Sequence, residues 1–118
     1  MLTSTKDFED NEDIIKHNFL EYLKSDYPEL TNDRTRKKVF SDARYLINNK
    51  DLHLDFFDII SGKIVIDEYR NKLIKRFEKS NQQEPNVRHA NPISRANDYV
   101  VDLNRLKNYL IKADLLKI

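Results

Sequence analysis

The chain has 118 residues, of which 35% are charged, with a net charge of +1, no cysteine and a single glycine. That length suits one domain able to bury a core without staples, and the missing cysteines exclude a disulfide scaffold, a Cys-ligated zinc site and a cysteine nucleophile. One glycine also excludes the glycine-cradled phosphate loops of Rossmann and P-loop proteins and disfavours turn-rich β folds.

Residues 1–10 read as a flexible, acidic N-terminus, and residues 11–118 as one helical domain. The first predicted helix starts near Asn11, a good N-cap, with Glu12 and Asp13 in the first turn, where the helix dipole favours acids. Ile15, Phe19, Tyr22 and Leu23 recur at helical spacing, and Pro28 implies a stop near Asp26. A second helix follows a cap at Thr31 or Asn32, with Val39, Phe40, Ala43, Leu46 and Ile47 facing inward. A third, short helix is expected after Asp51, apolar nearly all round through Leu52, Leu54, Phe56, Phe57, Ile59 and Ile60, with Gly62 as its left-handed stop.

Ile64, Val65 and Ile66 are β-branched and suit a short extended stretch near residues 63–66. Asp67 then caps a fourth helix with Tyr69, Leu73 and Phe77 on one face. Residues 80–93 form a long polar loop containing Pro85 and Pro92. Ser94 is the expected cap of the last helix, whose apolar side is Ala96, Tyr99, Val100, Leu103, Leu106, Leu110 and Ile111. The reading is an all-α single domain of about five helices in an orthogonal bundle.

Charge is segregated along the chain. Residues 1–33 hold nine acids and three bases, whereas residues 34–49 hold five bases and one acid, and residues 69–95 seven bases and two acids. Segregation of this kind builds faces of opposite sign. Three clusters are candidates for phosphate contact. Arg34, Arg36, Lys37 and Lys38 crowd one helix start, where bases oppose the dipole. Lys72, Lys75, Arg76 and Lys79 recur at three- and four-residue steps on the fourth helix. Arg88 and Arg95 lie in a donor-rich loop and helix start. For each, the plain alternative is the wet side of an amphipathic helix.

No catalytic or metal site is expected. His17, His53 and His89 are far apart, no HExxH occurs, and Asp55 with Asp58 reads as a solvated edge. No cofactor or small-molecule substrate is implied. No apolar run approaches a membrane span, and an N-terminus without a signal-peptide pattern leads to the expectation of a cytoplasmic protein.

The succession "DIIKHNFLEYLKS", a basic helix, "LDFFDII", "IDEYRNKLIKRFE", a polar loop and "SRANDYVVDLNRLKNYL" resembles the helical core-binding domain of tyrosine recombinases. Similar modules precede nuclease domains in restriction and phage-defence proteins. The resemblance implies a helical bundle that clamps duplex DNA; it covers roughly residues 11–112 and supplies no recombinase nucleophile or catalytic arginine. The expected function is non-catalytic nucleic-acid binding, mainly through phosphates. The alternative is a protein-interaction or inhibitor module using the acidic N-terminal helix (Asp7, Glu9, Asp10, Glu12, Asp13).

Overall fold

The computed structural model describes residues 1–48, 55–62, 66–83 and 91–116. All regular structure among them is helical: α1 (Thr5–Asp10), α2 (Glu12–Asp26), α3 (Asp33–Asn48), α4 (Phe56–Ile60), α5 (Ile66–Gln83) and α6 (Pro92–Lys112). The all-α bundle read from the sequence is therefore observed, with one more helix than expected.

The additional helix is α1. Ser4 caps it by accepting from the Asp7 N–H, while Asp7 accepts from the Thr3 N–H and hydroxyl. Phe8 is fully buried and stacks beside Phe40, and the Leu2 N–H donates to the Leu115 carbonyl at 2.8 Å. The N-terminus expected to be flexible is thus pinned by two apolar side chains and by the C-terminal tail, where Leu116 is also buried.

Helix α2 ends at Asp26 before Pro28, as expected, and buries Ile15, Phe19 and Leu23. Asn32 is the effective cap of α3, accepting from the Thr35 N–H at 2.8 Å. Asp55 caps α4, accepting from the Asp58 N–H, and also takes a hydrogen bond from the Thr5 hydroxyl. That bond ties α4 to α1. The expected cap Asp51 and the apolar Leu52 and Leu54 lie outside the described residues, as do residues 63–65 of the extended stretch; Ile66 is helical. Gly62 follows α4 at φ +83°, the left-handed conformation expected of it.

At α6 the cap is Asn91, which accepts from the Ser94 N–H, with Pro92 at the first helical position. The expected cap Ser94 is three residues late. Proline has no N–H to lose there, and its fixed φ suits a helix start.

Helix α6 is the spine, with α3 and α5 packed along it, α2 behind α3, and α1 and α4 against one end. Two aromatic clusters fill the contacts. Phe19 meets Phe40 and Tyr109 with ring centroids 6.1 and 5.7 Å apart, and Tyr99 meets Tyr45 and Phe77 at 4.9 and 5.6 Å. Phe19, Phe40, Phe77, Tyr99 and Tyr109 are buried in the core, and centroid spacings in this range are favourable beyond their area.

Candidate nucleic-acid interface

The basic run divides as soon as it becomes helical. Arg34, Lys37 and Lys38 are exposed on the outer side of the first turns of α3, whereas Arg36 is buried. The Arg36 guanidinium donates to the Leu30 carbonyl and to the Asp33 carboxylate, each at 2.6 Å. It fastens the α2–α3 connection and is withdrawn from any surface role. Position 36 stands three and four residues before Val39 and Phe40 and seven before Ala43, so it shares the inward stripe.

The exposed bases form a ridge between two hollows. On one side, His17, Leu20, Glu21 and Lys24 of α2 face Asp33, Arg36 and Lys37 of α3 across about 190 Å³. Asp33 registers the positive field there: its carboxyl is held below the ordinary range by the Arg36 hydrogen bond first, then by the Arg36 charge, with smaller contributions from Lys24 and Lys37. Lys24, in the last turn of α2, was missed by sequence reasoning because it is isolated among acids; folding sets it opposite Lys37.

On the other side, a hollow of about 340 Å³ between α3 and α6 is lined by Leu30, Thr35, Lys38, Val39, Asp98, Val101, Asp102 and Arg105. Beneath it lies a buried polar cluster that the sequence reading also missed. Asp42 of α3 and Asp102 of α6 are 4% and 6% exposed. Asp42 pairs with Lys38 at 3.1 Å and with Arg95 at 3.5 Å, and Asp102 pairs with Arg105 at 2.9 Å. The Asp102 carboxyl is pushed up to about 8 by burial first, then by its hydrogen bond with the Asp42 carboxyl and by the Asp42 charge, with Arg105 opposing. Burial and the neighbouring Asp42 carboxylate thus favour the protonated form of Asp102. Position 102 lies on the inward stripe of α6, three after Tyr99 and four before Leu106.

Arg95, singled out in the sequence, is drawn into the same cluster. Its guanidinium lies 4.6 Å from the centre of the Tyr99 ring, donates to the Tyr99 hydroxyl at 3.2 Å and pairs with Asp42. On α5, Lys75 and Lys79 are exposed, while Lys72 and Arg76 are half-buried. Helix α5 meets α3 through Phe77 against Tyr45, with ring centroids 6.5 Å apart. Tyr45 lies roughly 10 Å along α3 from Lys38 and about 16 Å from Arg34 at 1.5 Å per residue. The bases of α3 and α5 thus lie toward opposite ends of α3. Arg88 lies outside the described residues, as do His53 and His89.

No group of His, Asp or Glu that could hold a metal ion occurs among the described residues. No described helix is long and apolar enough to cross a membrane. No protein-family model, curated protein or solved structure matches the chain.

Proposed function

We propose that the chain is a non-catalytic nucleic-acid-binding module, with duplex DNA its foremost ligand, that grips phosphates with the outer face of the first turns of α3. The observation that carries this reading is the ridge itself. Arg34, Lys37 and Lys38 are exposed together, Lys24 faces Lys37 across a hollow, and of the two acids of α3, Asp42 is buried beneath them while Asp33 is paired with Arg36. Cations spaced one helical turn apart suit neighbouring phosphates, which position a protein on a duplex without reading its sequence. Arg36 and Arg95 support the ridge and the α3–α6 contact rather than meeting the ligand. Lys75 and Lys79 would form a second, weaker contact at the far end of α3. The resemblance to recombinase core-binding domains agrees with this role and suggests a mobile-element, restriction or phage-defence setting.

The test is anisotropy of a labelled mixed-sequence duplex at about 50 mM salt, where phosphate contacts are strongest. Replacing Arg34, Lys37 and Lys38 together by Ala should abolish most binding, and replacing Lys75 and Lys79 should weaken it less. Equal losses from the two variants would remove α3 from its leading place.

A protein-interaction reading draws on one observation. Ile14 is 66% exposed beside the exposed acids Asp10 and Asp13. An apolar side chain ringed by acids suits a basic partner. Capture of a basic peptide by the wild type but not by an Ile14→Asn variant, with no duplex binding, would favour it.

A further inference from the structure

Helix α6 carries a second surface that phosphate binding does not use. At 100° per residue, Ile93, Asn97, Val101, Asn104, Asn108 and Ile111 fall within an arc of about 80°. All six are exposed, and the three aliphatic side chains are 58%, 48% and 41% exposed. The stripe runs for about 27 Å at 1.5 Å per residue. It holds no charged residue, in a chain where 35% of residues are charged. A merely solvated helix face in such a chain would carry lysine and glutamate.

The stripe is self-complementary when reversed. Laid antiparallel on a copy of itself about a point between Val101 and Asn104, it sets Ile93 against the partner's Ile111. The same register sets Asn97 against the partner's Asn108 and Val101 beside the partner's Asn104. A two-fold interface requires this property, because one patch must fit itself. Facing asparagines each offer a donor and an acceptor, and buried asparagine pairs fix register in helix–helix contacts.

The charges at the edge complete the fit. Asp98, Arg105 and Lys112 lie on the side of the stripe next to Val101, and Lys112 is already paired with Asp26 at 2.8 Å. A two-fold axis perpendicular to the helices brings each edge against the same edge of the copy. Asp98 then faces the partner's Arg105, and Arg105 the partner's Asp98. Arg105 spends one nitrogen on Asp102 at 2.9 Å and lies 5.2 Å from the centre of the Tyr27 ring, and its 22% exposed side chain keeps further N–H donors for the partner.

We infer that two copies of this chain associate through an antiparallel α6 pair, joined by the Ile93, Val101 and Ile111 side chains and the facing asparagines. With three aliphatic side chains per copy, the interface belongs at the small end of specific contacts, and its dissociation constant in the micromolar range.

Sedimentation of the full chain from about 5 to 500 µM reads this association directly. The expected result is a concentration-dependent shift from monomer to dimer mass. Val101→Glu places two carboxylates near the two-fold axis and should weaken the dimer by about tenfold or more. At about 1 µM or below, where the wild type is monomeric, its melting temperature should stay unchanged, because Val101 is already 48% exposed. Orientation is read with Asn97→Cys and Asn108→Cys chains mixed under mild oxidation. Since the native sequence has no cysteine, every cross-link joins introduced cysteines, and mixed 97–108 links should exceed self-links. A monomer throughout the range, a dimer indifferent to Val101→Glu, or a majority of self-links would each overturn the inference.

Discussion

Replacing Asp102 by Asn isolates one titrating group whose effect on stability has a definite sign. In the folded chain Asp102 holds its proton up to about 8, against an ordinary value of 3.8. Between those values the folded state binds one more proton than the unfolded state, so stability falls as pH rises. The contribution is complete below about 4 and is lost as pH climbs through 8. Each pH unit inside that window costs about 1.4 kcal/mol, which makes the step from pH 6 to pH 8 worth about 2 kcal/mol once the approach to 8 is rounded off. The groups around Asp102 are Asp42 and Lys38 of α3 and Asp98 and Arg105 of α6, with Arg95 reaching Asp42 from α6. Asn keeps an N–H for Asp42 and an oxygen for Arg105 and has no proton to lose. Urea unfolding followed by circular dichroism at pH 6, 7 and 8 should therefore show the variant gaining on the wild type by about 2 kcal/mol across the series. Parallel curves, or a variant that loses ground at pH 8, would refute the shared-proton arrangement.

Other perturbations test the supports around the ridge. Arg36→Met keeps the buried stem but removes two hydrogen bonds, so it should cost about 1–3 kcal/mol by chemical denaturation. Lys37→Ala, the next residue along but exposed, should stay within about 0.5 kcal/mol. Phe8→Ala removes a fully buried ring from α1 and should cost about 3–5 kcal/mol in the same assay, whereas a frayed terminus would lose almost nothing. Asn91→Ala should cost about 1 kcal/mol as a lost cap, and Ser94→Ala only a few tenths; thermal melts of the two, side by side, locate the start of α6.

Helix content and most of the core were legible because period-3.6 apolar repeats are strong in α2, α3, α5 and α6. Ile15, Phe19, Leu23, Val39, Phe40, Tyr69, Leu73 and Phe77 are buried as their spacing required. Helix α1 was not legible, since six residues are too few to show a period and Phe8 looked like a lone aromatic among acids. The α6 start differs from the one read at Ser94 because the Asn91-Pro92 pair makes the stronger opening. Val100 and Ile111 were assigned to the inner side of α6; Val100 is half-buried and Ile111 is 41% exposed. The candidate interface was legible only in outline. Composition shows a basic run, but only register separates Arg36, on the inward stripe, from its outward neighbours. Asp102 was missed for the same reason, an acid hidden in an apolar repeat. Lys24 had no signal in the sequence at all, because its partnership with Lys37 arises from the packing of α2 on α3.

The central claim is that α3 binds phosphate, and the salt dependence of duplex binding tests it most directly. Lys24, Arg34, Lys37 and Lys38, each releasing a counterion, predict a slope of about −3 to −4 in a plot of log affinity against log salt from about 50 to 200 mM, steepening toward about −5 where Lys75 and Lys79 also engage. Replacing Arg34, Lys37 and Lys38 by Ala should flatten that slope by between about 2 and 3. Absence of binding at the lowest salt, or a slope that the triple variant leaves unchanged, would contradict the assignment of α3 as the phosphate-binding element.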